Sequence, residues 1–174
     1  MPPSFSKNQL ILTWQQVDKL LDTLTPQINA FGAFNAMVMI TRGGLVPGGM
    51  LAEALDIQHV LTAAVDFPAT QNSAVMSWPK FLQFPDASLL IGRKTLIVDD
   101  VWGSGKTSSS VKKRAMASGA TALTCVLHYN PYRSLFGDET PDFYGDVTDA
   151  YVTYPWEIDR GLRGYRMTEP QGNI

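Results

Sequence analysis

Residues 94–110, KTLIVDDVWGSGKTSSS, restrict the possible folds more than any other stretch of this chain. Residues 95–98 are a short apolar run rich in β-branched side chains, the composition of a buried strand. The strand is expected to end in two adjacent carboxylates, Asp99 and Asp100, followed by a small-residue loop, Gly103-Ser104-Gly105-Lys106-Thr107. A helix-compatible run then reaches Met116. Strand, acid pair, glycine loop and helix start, in that order, build a cradle for a phosphate. Glycines let the backbone approach an anion closely, and the free N–H groups of a first helical turn point at it. Ser104, Thr107 and Ser108 add hydroxyl donors, and Lys106 adds a positive charge that should tighten anion binding. Carboxylates at the strand's carboxyl end suit ribose hydroxyls or Mg²⁺.

GSGKT looks like the loop of a nucleoside-triphosphate hydrolase, but that motif needs a glycine five positions before its second one. Asp100 stands there, so the spacing fails. A second unit of the same kind lies upstream. AMVMI, residues 36–40, is a buried strand that runs into Thr41-Arg42-Gly43-Gly44 and then a helix through about Leu55. A guanidinium fork beside two glycine amides suits a second anion, such as pyrophosphate.

The flanking segments frame these two turns. Thr13 reads as the N-cap of a helix over 14–24, with a short edge strand before it at 10–13 and Pro26 breaking the helix. Residues 59–65 and 121–127 read as strands, and 108–118 as a helix closed by Gly119. Strand–helix–strand–helix–strand implies an α/β fold: a parallel sheet with helices on both faces and a ligand site at the strands' carboxyl ends. Residues 66–90, with Pro68, Pro79 and Pro85, are too long for an ordinary connection and suggest a mobile lid or an excursion hairpin carrying one cation, Lys80. Beyond His128 the pattern changes to turn chemistry, and then Tyr144, Tyr151, Tyr154 and Trp156 cluster. Such aromatics offer a stacking platform for a flat base, or else core or a dimer surface. Residues 1–7 read as a loose end, and 160–174 carry no signal.

At 174 residues the chain has a single-domain length. A net charge of −2 argues against non-specific nucleic-acid binding, which needs a large positive excess. One cysteine, Cys125, allows no internal disulfide and fits a reducing cytoplasm. There is no signal-peptide pattern at the start and no run apolar enough to span a membrane.

VDDVWGSGKT resembles the phosphoribosyl-pyrophosphate (PRPP) signature of type I phosphoribosyltransferases, and ITRGGLVPG resembles the pyrophosphate loop of the bacterial xanthine-guanine (6-oxopurine) branch. The resemblance runs from about Leu10 to about Glu157. It implies the type I phosphoribosyltransferase fold as one domain over 1–174, with a core at about 30–130 and a small hood from about 8–14 and 131–165. It implies transfer of 5-phosphoribose from PRPP to a nucleobase, giving a nucleoside monophosphate and pyrophosphate, with Mg²⁺ as cofactor. By the same resemblance Asp99, Asp100 and Arg42 are catalytic. PRPP is held by Arg42, Gly43, Asp99, Asp100, Gly103, Ser104, Gly105, Lys106 and Thr107. Tyr151 stacks on the base, and the Val152 backbone and Asn130 read its edge. Asp99 and Glu157 hold the metal. A cis peptide is expected at Thr41–Arg42, and the loop within 66–90 is expected to close over the reacting centre. Relatives form dimers or tetramers, so a cytoplasmic homo-oligomer is implied, with no nucleic acid and no membrane among its partners.

Two positions depart from the family pattern. Gly103 stands where the 6-oxopurine enzymes carry an Asp near N7 of the base, and Asn130 stands where they carry a Lys that donates to the 6-oxo group. The ribose-phosphate half of the site is intact and the base half is altered. A 6-oxopurine is the first expectation. A transferase for another base, or a non-catalytic regulator that binds PRPP or a nucleotide, remain as alternatives.

Overall fold

The structure, a computed structural model, describes residues 8–68, 77–135 and 137–158. In chain order its elements are β1 (Gln9–Ile11), α1 (Trp14–Ala30), β2 (Ala36–Ile40), α2 (Leu45–Ala54), β3 (Val60–Asp66) and β4 (Lys80–Gln83). They continue with a 3₁₀ turn (Ala87–Leu89), β5 (Lys94–Trp102), α3 (Lys106–Ala117), β6 (Thr121–Tyr129), β7 (Phe143–Val147), β8 (Tyr151–Thr153) and α4 (Pro155–Ile158). A six-stranded sheet runs β4-β3-β2-β5-β6-β7, parallel except for β4. A separate two-stranded parallel sheet pairs β1 with β8.

β2 is apolar at every position and β5 is apolar from Leu96 to Val98, because both faces of the sheet are covered there. Successive side chains alternate between two clusters. Met37, Met39, Leu96, Val98, Cys125 and Leu127 pack with Leu24 and Ile28 of α1 and Leu51 of α2. Val38, Ile40, Ile97 and Ala122 pack with Val111 and Ala115 of α3. Helices on both faces of a mostly parallel sheet are what the strand–helix alternation predicts.

Three expectations need correction. Pro26 does not break α1, which continues to Ala30. Leu24 and Ile28, four residues apart on one face, are 0% and 1% exposed, so burial on the core outweighs the one backbone bond that proline cannot make. The acid pair does not end its strand: β5 runs on to Trp102. Beyond Val98 it loses β2 as a partner but keeps β6, through Asp99↔Val126, Val101↔His128 and Trp102↔Tyr129. Finally, β7 is a strand where only turns and an aromatic cluster were expected; its interrupted FYGDV run gives little apolar alternation to read.

The excursion after β3 contains β4, which returns antiparallel with Asp66 opposite Lys80. The middle of the expected lid, the expected loose end at residues 1–7 and the tail at 160–174 lie outside the described residues.

Candidate active site

The site forms where β2 and β5 part company. β2 ends at Ile40, and the chain turns through a cis Thr41–Arg42 peptide, at the expected bond, into Gly43 and Gly44. Gly44 donates to the Ile40 carbonyl at 2.8 Å, and α2 starts one residue later. This turn lies directly against β5. A Cβ added at Gly43 would sit 2.5 Å from the Asp100 carboxylate, and one added at Gly44 would meet the Val98 carbonyl. Close approach of backbone therefore requires glycine at position 44, while at Gly43 the facing group is a side chain. The adjacent Arg42 is exposed, and its guanidinium has no partner among the described residues.

The second turn follows β5. Gly105 adopts a left-handed conformation, φ +79°, and starts α3 with no side-chain cap. The first helical backbone bond to it is donated by Ser109, at 3.0 Å. The amides of Thr107 and Ser108 thus point out of the helix end without a backbone acceptor among the described residues. They line a cavity of about 50 Å³ together with Asp99, Gly103, Ser104 and Gly105. Lys106 extends away from it over the Phe67 ring, 5.9 Å from its centroid. Beneath Gly105 lies Trp102, 2% exposed, whose indole nitrogen has no acceptor among the described residues.

Asp99 and Asp100 are half-buried between the two turns. Each carboxylate accepts a backbone N–H from the next residue, Asp100 at 3.0 Å and Val101 at 2.7 Å. These bonds do not offset the surroundings. Burial, reinforced by the charge of Asp100, holds the Asp99 carboxyl well above the usual carboxylate range. Burial, reinforced by the charge of Glu157, raises that of Asp100. Among the described residues no cation lies against this acidic cluster.

Glu157 reaches this cluster from α4. Its Oε2 accepts the Tyr154 backbone N–H at 2.7 Å, and its own amide donates to the Tyr154 carbonyl at 3.0 Å. Its charge is felt at Asp100, so Glu157 joins the acid pair although it lies over fifty residues downstream. Among the described residues no group of three His, Cys, Asp or Glu side chains is placed to hold a metal. Mg²⁺ commonly uses only one or two carboxylates and takes its other ligands from substrate phosphates and water. The donor set here, hard oxygens in a negative field, fits that mode.

Of the residues expected to meet a base, Tyr151 and Val152 lie on β8 and Asn130 follows the last residue of β6. Tyr151 is 56% exposed, and Val152 is buried beside it on β8, held by pairing with β1. Asn130 is 2% exposed; its amide donates to the Trp102 carbonyl, and its Oδ1 accepts from Tyr132 N–H at 3.1 Å. That leaves the side-chain NH₂ as a donor. The aromatic cluster splits. Tyr151 is the most exposed of the four. Tyr154 is 1% exposed and stacks on Trp156 with ring centroids 4.5 Å apart, so those two are core. Tyr144 sits on the edge strand β7 against Tyr129.

Two contacts have no sequence signal. Leu135 N–H donates to the Ser104 carbonyl at 3.1 Å, tying the segment after β6 to the phosphate-type loop. His128 meets the Tyr154 hydroxyl, which donates to the Asp100 carbonyl. No spacing rule relates residues 26 and 54 positions apart.

The chain is similar to known proteins over most of its length. A xanthine-guanine phosphoribosyltransferase of Cereibacter sphaeroides is 35% identical over 154 residues, covering 84% of this chain and 86% of the relative. The enzyme of the same name from Roseobacter denitrificans is 28% identical over 166 residues, covering 91% of each chain. The crystal structure of a purine phosphoribosyltransferase from Pyrococcus horikoshii superposes with a TM-score of 0.72 at 26% identity, covering 85% of this chain and 93% of that one. The family model for the phosphoribosyl transferase domain matches residues 9–153, and with two glycine turns meeting at an acid pair on one sheet rim, the chain belongs to that family.

Proposed function

We propose that the protein transfers the 5-phosphoribosyl group of PRPP to a 6-oxopurine and releases pyrophosphate. The close approach of Gly43 to Asp100 carries this reading, because it sets the first glycine turn beside the strand that leads into the second. In this reading the Thr107 and Ser108 amides, with Ser104, Gly103 and Gly105, hold the 5-phosphate at the N-terminus of α3, and Lys106 swings from Phe67 to meet it. Asp99 and Asp100 receive the ribose hydroxyls and offset positive charge developing on the sugar. Arg42 and the Gly43 amide receive the pyrophosphate. Asp99 and Glu157 hold Mg²⁺, which when bound neutralises charge on the departing pyrophosphate. The base lies on Tyr151, and the Val152 backbone and the Asn130 NH₂ read its edge. We extend the proposal to a cytoplasmic homo-oligomer, dimer or tetramer, whose size light scattering would read.

Incubation with PRPP, Mg²⁺ and single bases, with pyrophosphate measured, tests the reading. Turnover with guanine, xanthine or hypoxanthine is expected, and turnover only with another base would move the specificity. A second reading, a regulator that binds PRPP or a nucleotide without turnover, is favoured by Gly103, which offers no side chain to move a proton beside the base. Tight nucleotide binding with no pyrophosphate from any base would decide for it.

A further inference from the structure

Tyr154, fully buried, connects the sheet rim to the Pro155-Trp156-Glu157 turn. Its hydroxyl lies 3.0 Å from the Asp100 carbonyl oxygen and 2.8 Å from His128 Nδ1. Its backbone N–H lies 2.7 Å from Glu157 Oε2. One residue therefore touches the Asp100 peptide with its side chain and the Glu157 carboxylate with its main chain. The directions of these bonds follow from chemistry. A carbonyl only accepts, so the phenolic proton goes to Asp100, and His128 must donate its Nδ1–H to the phenol oxygen. His128 is itself 1% exposed, at the β6 position opposite Val101, with Asp146 of β7 as its cross-strand neighbour. The ring is clamped as well, stacked on Trp156 at an interplanar angle of 6°, and Trp156 in turn packs on Trp14 at the start of α1.

We infer that Tyr154, oriented by the Nδ1–H tautomer of His128, is a positioning residue that fixes the Glu157 carboxylate relative to the Asp100 peptide and so sets the metal–pyrophosphate geometry of the site. The inference rests on the phosphoribosyl-transfer reading above. It touches no substrate atom in that reading; it acts through the two acids it holds. Burial holds His128 below its ordinary value, so the ring is neutral near neutral pH and the donated proton sits on Nδ1 alone.

The test compares wild type with Tyr154→Phe, which deletes the hydroxyl and keeps the stacked ring, and with His128→Asn, which keeps an N–H near the Nδ1 position. For Tyr154→Phe, half-saturating Mg²⁺ or Mn²⁺ measured by calorimetry in the presence of PRPP should rise roughly tenfold, the usual consequence of removing a group that orients a metal-binding carboxylate. KM for the base should stay within about twofold. His128→Asn should recover most of the metal affinity lost in His128→Leu. In wild type, the imidazole ¹⁵N spectrum of His128 should report a proton on Nδ1 and none on Nε2. Unchanged metal affinity in Tyr154→Phe, equal losses for metal and base, or a proton on Nε2 would overturn the inference. Wild-type protein that binds no PRPP with Mg²⁺ would instead overturn the underlying reading, so the two failures are distinguishable.

Discussion

At the scale of single residues, three glycines of one site tolerate a side chain to three different degrees. Gly44→Ala drives a methyl into the Val98 backbone carbonyl, which cannot swing aside, and should lower stability by about 1–3 kcal/mol in denaturant titrations. Gly43→Ala meets the Asp100 carboxylate, a side chain that can rotate. Its cost should fall on KM for PRPP, up about tenfold or more, with little change in melting temperature. Gly103→Ala faces open space and should change stability by less than about 0.5 kcal/mol. The same space admits Gly103→Asp, which should raise kcat/KM for a 6-oxopurine by on the order of tenfold if proton transfer limits the step. The acid pair belongs at this scale too. Asp99 has its carboxyl raised above 3.8 in the fold, so the folded state holds a proton that the unfolded chain has released. Its contribution is fully present below 3.8 and is lost as pH rises through the raised value. Asp99→Asn should therefore raise the melting temperature at pH 7 and flatten its fall between pH 4 and 7, while turnover drops sharply; a lower melting temperature would refute the assignment.

At the scale of elements, what was legible in the sequence was whatever repeats within a few residues. β2 and the first half of β5 were visible because segments buried on both faces are rich in apolar residues, and α3 and its glycine start because the loop chemistry is local. The extension of β5 past Asp99 was not legible. A strand that continues on one partner after losing the other carries polar residues, which read as its end. Helix α1 was cut short for a related reason, since Pro26 is a local signal and the burial of Ile28 is a long-range one. Pro26→Ala should accordingly stabilise α1, by about 1 kcal/mol once the looser unfolded chain is counted. Leu24→Ala should cost about 2–5 kcal/mol, because its side chain is fully buried in the cluster where α1 packs on α2, β6 and β7. Thermal or denaturant unfolding of both variants checks the pair.

At the scale of the whole molecule, the sheet is clamped between two apolar clusters, and the polar chemistry is confined to the carboxyl ends of its strands. Both anion turns were readable because glycine and cation spacing is a local code. Their meeting was only implied, since it depends on the strand order β3-β2-β5-β6, which brings β2 beside β5. Tyr154 and His128 were not readable at all, because their bond joins the end of β6 to the turn after β8. If the two turns grip one ligand, occupancy should stabilise the whole fold. PRPP with Mg²⁺ at a hundredfold over its dissociation constant should add about 2.7 kcal/mol, roughly 5–10 °C in melting temperature. Pyrophosphate alone should give less, and no shift with PRPP would remove the basis for a bridging ligand. Trp102, sealed under the left-handed Gly105, gives this behaviour an optical signature. With Trp14, Trp78 and Trp156 changed to Phe, the remaining indole should emit in the blue. Its intensity and lifetime should follow each filling of the loop above it, so the protein carries its own fluorescent gauge.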